Sequence, residues 1–336
     1  MEFTFSKNRW ILDDEPEKVE SDFALGMHIP KRWDKILDIK SCDLMPDVGS
    51  KIINFVRDLA KKSKLKPYDQ RSHVGFLRYL ALRFGQNTNE LMVNIVTSYE
   101  DLDMLVPFVE SLVNEFPEIT SVVNNINTRK ADVSFGEREI LLHGKPIINE
   151  KLKDLTFQIS ANSFFQTNSL MAEKLYDVIL NSANLKGDEI VYDLYCGAGS
   201  ISLFLARKAK FVYGFDIIVS SIENAEQNAI KNNIENIDFS VANLDSYFER
   251  KKSKNLPSPD IVIVDPPRSG MHKKMTEYLP KFRAKKIIYV SCNPSTQARD
   301  AQILKSHAYE LKKLTVVDMF PHTPHVETVG VFEKSK

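Results

Sequence analysis

Cys292 closes the apolar run Ile287-Ile288-Tyr289-Val290-Ser291 and is followed at once by Asn293-Pro294-Ser295-Thr296. The run reads as a buried parallel strand, and Pro294 suits the first turn of a helix, where a missing N–H is no loss. A thiol so placed stands at the carboxyl edge of a sheet, where open α/β folds take their ligands. It also lies just ahead of a helix N-terminus, whose dipole favours thiolate over thiol and predicts a nucleophile. Glu327 follows the Pro-rich loop Phe320-Pro321-His322-Thr323-Pro324-His325-Val326 and precedes the last apolar strand. It reads as a general base beside the same edge. The two histidines of that loop do not make a metal site with Glu327, because no fourth ligand is in register. Asp265 ends another apolar run and opens Asp265-Pro266-Pro267-Arg268-Ser269-Gly270, where consecutive prolines stop the strand and stiffen the loop.

A second constellation precedes these. Asp193-Leu194-Tyr195-Cys196-Gly197-Ala198-Gly199-Ser200 follows a short apolar run, and two glycines just past a strand allow a tight turn and close approach of a ligand. A dinucleotide fingerprint asks for a third glycine where this chain has Ser202, which disfavours a small-molecule dehydrogenase. Asp216 ends the next strand and is positioned to accept hydrogen bonds from ribose hydroxyls. Asn243, beyond the third strand, is either a turn residue or a contact to an adenine edge. Cys196 reads as a small packing residue. This pattern fits S-adenosylmethionine better than NAD, since that donor has no pyrophosphate and its sulfonium and amino-acid ends call for carboxylates and carbonyls.

Thiol, carboxylate and methyl donor together suggest one reaction. Carbon 5 of a pyrimidine is too weak a nucleophile to attack a methyl group unaided. Addition of Cys292 to carbon 6 makes the ring an enolate whose carbon 5 can attack the sulfonium methyl. Glu327 would then remove the carbon-5 proton so that the thiol is eliminated. The base must leave its stack or lie in a single-stranded loop.

The elements that must hold these residues are legible in outline. From about Leu155 the chain alternates short apolar runs (Ile190–Leu194, 211–215, Ile237–Val241, Ile261–Val264, 287–290) with helical segments such as 221–232, the pattern of a doubly wound, mostly parallel sheet. The first 150 residues mix strands and helices. Leu80-Ala81-Leu82-Arg83 and 91–96 flank Gly85-Gln86-Asn87-Thr88-Asn89, a hairpin signal, and 119–126 reads as a strand. An amphipathic helix is expected over 101–116 with Leu102, Leu105, Val106, Val109, Leu112 and Val113 inward. The stretch 144–153 is the expected join, which divides the chain into an α+β domain (1–154) and a Rossmann-like α/β domain (155–336).

The 336 residues carry 45 Lys+Arg against 45 Asp+Glu, so affinity for a polyanion must come from local patches. Two candidates are Lys61-Lys62-Ser63-Lys64-Leu65-Lys66 and Lys281-Phe282-Arg283-Ala284-Lys285-Lys286. Three scattered cysteines suit a reducing cytosol, no apolar stretch approaches the ~18 residues of a membrane span, and no signal peptide opens the chain. A cytoplasmic protein is the expectation.

Over its whole length the chain resembles the S-adenosylmethionine-dependent RNA uracil-5 methyltransferases. The resemblance is carried by Ser163-Phe164-Phe165-Gln166-Thr167-Asn168, 193–199, 265–270, 291–294 and 322–327. It implies a class I methyltransferase domain, with Cys292 as nucleophile and Glu327 as proton-abstracting base. Gln166, Tyr195, Ser200, Asp216, Asn243 and Asp265 fall on donor-binding positions, and Asp265 also reaches the uracil. Asn125-Ile126-Asn127-Thr128-Arg129-Lys130 and 87–93 look like the branch acting on 23S ribosomal RNA, which implies an RNA-binding, monomeric enzyme making 5-methyluridine. That branch usually begins with a small β-barrel domain and often carries a 4Fe–4S cluster. This sequence matches from the domain after the barrel, and Cys42 matches only the last cluster ligand, so a four-cysteine cluster is not expected from this chain alone. Alternatives are a tRNA uridine-5 methyltransferase and a catalytically silent RNA-binding assembly factor of the same fold. A cytosine-5 enzyme would place a second cysteine after the prolines, where Arg268 stands.

Overall fold

The computed structural model describes residues 1–16, 21–130, 134–248 and 256–335. The chain divides into two compact units, Met1–Glu150 with Ile159–Asn162, and Lys151–Gln158 with Ser163–Lys336. In the first unit β1 (Glu2–Ser6), β2 (Arg9–Trp10), β3 (Ala24–Ile29) and β4 (Arg32–Asp38) precede α1 (Asp47–Lys62). There follow β5 (Leu77–Gly85), β6 (Glu90–Thr97), α2 (Leu102–Glu115), β7 (Ser121–Ile126) and β8 (Arg138–Gly144). The strands form one sheet in the order β2-β4-β3-β1-β5-β6-β7-β8. β5 and β6 make the expected hairpin, with Gly85 opposite Glu90 and Asn89 supplying a left-handed turn residue at φ 54°.

Helix α1 buries Ile52, Ile53, Val56 and Ala60, spaced as one helical face. Asp47 in its first turn and Lys61 and Lys62 in its last complement the helix dipole. Helix α2 is capped by the Asp101 carboxylate, which accepts from Met104 N at 3.0 Å, and buries Leu105, Phe108, Val109 and Leu112. Here the expected face is corrected: Leu102 and Val106 are exposed, and Phe108 enters the core instead. The i, i+3, i+4, i+7 stripe runs through 105, 108, 109 and 112, leaving Val106 one position off it and Leu102 in the terminal turn. The stretch read as a join is ordered strand. β9 (Ile147–Leu152) and β10 (Leu155–Ser160) pair with each other, and their residues divide between the two units.

The second unit contains α3 (Ser169–Ala183), β11 (Ile190–Leu194), α4 (Ser200–Ala206), β12 (Phe211–Asp216), α5 (Val219–Lys231), β13 (Ile237–Val241) and α6 (Leu244–Tyr247). It continues with β14 (Ile261–Val264), α7 (Lys273–Tyr278), β15 (Lys286–Ser291), α8 (Pro294–Ser306), β16 (Tyr309–Val317) and β17 (Glu327–Lys334). Strand order is β13-β12-β11-β14-β15-β17-β16. The first five are parallel, and β17 is antiparallel to both its neighbours. Val191, Leu194, Val262, Val264, Ile287 and Tyr289 are fully buried, as continuous apolar runs demand when helices cover both faces of a sheet. The parallel strands therefore end at one edge, at Leu194, Asp216, Val241, Val264 and Ser291. Because β17 runs the other way, its first residue, Glu327, lies at that edge.

Candidate functional site

The register of β15 and β17 pairs Ser291 with Thr328, so continuing by one residue brings Cys292 opposite Glu327. The two border a pocket of about 180 Å³ whose other walls include Arg268, Met319, Phe320 and His325. Cys292 is exposed, while Glu327 is only 9% exposed. Burial and the nearby Asp265 push the Glu327 carboxyl up to about 7. Asp265 rises to about 6 through burial. The thiol behaves otherwise than the sequence suggested. Its pKa is raised, by partial burial and by the negative charges of Glu327 and Asp265, with Arg268 pulling the other way. At the helix start the Asn293 side chain accepts from Ser295 N at 3.1 Å, and Pro294 has no N–H to offer. Burial is the larger cause of the rise, and the two carboxylates add to it.

Around this pocket is a scaffold that sequence reasoning missed. Buried Gln297 donates through Nε2 to Tyr289 O at 2.8 Å, and the Thr328 hydroxyl is shared between Gln297 Oε1 at 2.9 Å and Ser291 O at 3.1 Å. One amide thus ties together the strand ends that carry Cys292 and Glu327. Asp300, also buried, accepts from Tyr289 Oη at 2.7 Å and from Met271 N at 3.0 Å. Arg299 reaches Met271 O at 3.2 Å, and Asn293 Nδ2 reaches Arg268 O at 3.1 Å, so the loop after Asp265 is fastened to α8. A signal existed in the chain: polar Gln297 and Asp300 lie at i, i+3 with Leu304 on the inward face of α8, and buried polar residues on such a face are held by partners.

The glycine loop is built differently. Tyr195, Gly197 and Gly199 all take positive φ (67°, 55° and 81°). A Cβ at Gly199 would come within 2.9 Å of Phe239, whereas Gly197 faces open space. Asp216 does not simply project outward: Oδ2 accepts from Gly197 N at 3.0 Å and Oδ1 from Ile218 N at 2.9 Å, which pins the loop to β12. Ser202, at the absent-glycine position, donates to Asp193 Oδ2. The other oxygen, Asp193 Oδ1, is buried with no partner among the described residues. Burial lifts Asp193 to about 7, with Asp265 and Asp216 adding to the rise. Beside the loop a cleft of about 560 Å³ is lined by Tyr195, Ile217, Asn243, Leu244 and Pro267. A turn lined this way, with an orphaned carboxylate oxygen and free space over Gly197, can hold a ligand with a cationic group and an adenosine-sized apolar part.

Of the residues expected in the site, Tyr195 and Asn243 line the cleft, Cys292 and Glu327 line the pocket, and Asp265 acts electrostatically on both members of the pair. Asp216 braces the glycine loop. Ser200 opens α4, where its hydroxyl is engaged by buried Tyr176. Gln166 is half-buried on the loop before α3, in which Asn168 caps Met171 N at 3.1 Å and reaches Met319 O at 3.0 Å. Cys196 is buried and its thiol is pushed well up by burial and by Asp193 and Asp216. Cys42 packs against the first unit's core, and among the described residues no three His, Cys, Asp or Glu side chains cluster as metal ligands do. No helix among them is long and apolar enough to cross a membrane.

Residues 133–336 match the family model for tRNA (uracil-5-)-methyltransferases. The whole chain is 39% identical to an uncharacterized RNA methyltransferase of Chlorobaculum tepidum, spanning 71% of that protein. An uncharacterized RNA methyltransferase of Porphyromonas gingivalis is 40% identical over 98% of this chain and 72% of its own length. Among solved structures, Pyrococcus abyssi tRNA (uracil-54, C5)-methyltransferase in complex with S-adenosyl-L-homocysteine is similar at a TM-score of 0.74 and 33% identity, covering 99% of this chain and 74% of that one.

Proposed function

The chain belongs to the tRNA (uracil-5-)-methyltransferase family, and from that premise we propose that it methylates carbon 5 of an RNA uridine through a transient bond between Cys292 and carbon 6. The observation that carries this reading is the β15–β17 register, which sets a thiol and a carboxylate of raised pKa across one pocket. S-adenosylmethionine, when bound, supplies an electrophilic methyl group. The Cys292 sulfur, its proton given up to solvent, forms a bond to carbon 6, and the electron pair of the 5,6 double bond moves onto carbon 5 and the adjoining carbonyl. Carbon 5 then bonds to the methyl carbon as that carbon's bond to the donor sulfur breaks, the sulfur keeping the electron pair. Glu327, ionised, takes the proton from carbon 5, and the returning electron pair restores the double bond as the thiolate leaves. A carboxylate with a pKa near 7 is matched to that task at neutral pH.

The donor is assigned to the glycine loop and its cleft. Tyr195 and Asn243 would flank the adenosine and Asp216 the ribose. Gln166, Ser200 and Asp265 would surround the amino-acid and sulfonium end, with Asp265 also reaching the uracil. The partnerless Asp193 Oδ1 and the open space over Gly197 support a cationic guest there.

The RNA we assign is 23S ribosomal RNA, on the strength of the 87–93 and 125–130 segments. A second reading, transfer RNA, is favoured by the family's description and by the Pyrococcus abyssi enzyme's own substrate. The test incubates the protein with labelled donor and unmodified 23S and transfer RNA transcripts, then maps 5-methyluridine by mass spectrometry of nuclease fragments. Label in 23S RNA alone supports the first reading, label in transfer RNA alone the second. Label on cytidine, or none in either RNA despite donor binding, overturns both.

A further inference from the structure

The two basic runs of the sequence meet different fates. In 281–286, Lys281 lies over the Tyr278 ring at 4.8 Å, Lys285 pairs with Asp260 at 2.9 Å, and Lys286 donates to Ser182 O at 2.7 Å. Those three lysines are engaged within their own fold. In 61–66, Lys62, Lys64 and Lys66 are exposed and enter no ion pair among the described residues. These three line a groove of about 690 Å³ confined to the first unit. An apolar wall of the same groove is supplied by Val74, Tyr99 and Met104, which are 65%, 46% and 45% exposed. The Tyr99 ring is backed by buried Phe76, with centroids 4.9 Å apart and planes at 48°. Of the acids that follow Tyr99 in sequence, Glu100 holds Arg138 and Asp101 caps α2.

We propose that this groove binds an unpaired stretch of the RNA substrate, its phosphates along Lys62, Lys64 and Lys66 and a base stacked on Tyr99. The proposal rests on the RNA-methylating reading above and adds a contact surface built wholly within the first unit. Lysines suit the task because they act as point charges on a backbone that varies in direction and carries no sequence information. A supported, exposed aromatic beside them serves any base, since every base has a π-face. A duplex would leave that wall unused, its bases being stacked inside and its surface presenting phosphates and sugars. The chain's zero net charge makes such a local patch necessary for holding RNA at all.

The test measures binding of the full chain to a fluorescent ten-nucleotide oligouridylate and to an RNA duplex of equal length, by anisotropy across salt concentrations. The combined Lys62→Glu, Lys64→Glu, Lys66→Glu variant should bind the single strand at least about tenfold more weakly, with a salt slope shallower by about 2. Tyr99→Ala should weaken binding by about 5- to 100-fold and leave the slope unchanged. Lys→Arg at the same three positions, and Tyr99→Phe, should restore near-parental binding, which separates lost contact from lost fold. Parental affinity and slope in the glutamate variant overturn the proposal, as does equal binding of duplex or a groove that serves self-association in sedimentation. The underlying function fails separately: if the parental protein makes no 5-methyluridine yet shows these groove effects, the surface stands and the chemistry falls. If it makes 5-methyluridine and the groove variants bind unchanged, the reverse holds.

Discussion

The glycine loop and the pocket at Cys292 share one sheet edge but are made by opposite means. The loop comes from a continuous stretch, Asp193 to Gly199, whose left-handed residues and close packing shape the turn. The pocket needs residues from four separate stretches, Arg268, Cys292, Met319–Phe320 and His325–Glu327, held in register by an antiparallel strand and a buried amide. In the loop Asp216 is braced by two backbone N–H groups, which suits holding a ligand. In the pocket burial raises both the thiol and the carboxyl, with Asp265 adding to each and Glu327 to the thiol, which suits bond making. A change in the cleft should therefore move donor binding, and a change in the pocket should move rate.

Cys292→Ala tests that division most sharply. Methyl transfer should fall by at least about 10⁴-fold, the scale on which loss of a covalent nucleophile acts, while donor affinity by calorimetry stays within about twofold. A parallel loss of donor binding would merge the two regions into one. Glu327→Gln should slow turnover by about 10²–10⁴-fold and accumulate a protein–RNA adduct visible on denaturing gels. Normal turnover without adduct would remove Glu327 from its role. At the glycine loop, Asp193→Ala should weaken S-adenosylhomocysteine binding by about 10- to 100-fold, with a smaller change in kcat at saturating donor. Gln297→Leu touches neither ligand but leaves Tyr289 O and the Thr328 hydroxyl short of a partner. We expect kcat to drop about tenfold at unchanged donor affinity, rescued in part by Gln297→Asn.

The smallest effects are in pH. In the proposed role Glu327 acts as a base only when ionised, so kcat should rise with pH through about 7, and the raised thiol should extend that rise upward. Stability runs the other way. A carboxyl whose folded pKa lies above its unfolded value stabilises the fold fully below the unfolded pKa, and that contribution is lost as pH climbs through the folded one. For Glu327 the window is from 4.5 to about 7, and Asp193 and Asp265 add to the same trend. Glu327→Gln should therefore raise the melting temperature at pH 8 by a few degrees, on the order of 2–3 kcal/mol or less, and scarcely at pH 4. A variant equally stabilised at both pH values would show that the carboxyl's ionisation is not the cause.

Much of the second unit was legible because its strands are short apolar runs alternating with helical segments. Ile190–Leu194, Ile237–Val241 and Ile261–Val264 appear with the bounds read from sequence. The first unit was less so. β1 alternates but is only five residues long, β2 has two residues, and β3 does not alternate; in α2 the apolar residues outnumber those one face can bury, so Leu102 and Val106 were misplaced. At the site, residue types pointed to Cys292, Glu327 and the glycine loop, which the fold brings to one sheet edge, but the thiol's pKa is raised rather than lowered, because burial and carboxylates that are near only in space are not legible in the local sequence. Gln297, Thr328 and Asp300 escaped notice for the same reason: their value lies in partners on other elements.

What the amino-acid order determined by itself was the set of reactive groups and the turns that bare them, since glycine's freedom, proline's lack of an N–H and apolar periodicity act within a few residues. Only the folded chain decided which groups meet. Strand β17 inserts antiparallel between β15 and β16, and that one choice of direction turns its first residue, rather than its last, toward Cys292. Ladder register depends on which strands become neighbours when the whole sheet is buried, a collective outcome that no local stretch encodes.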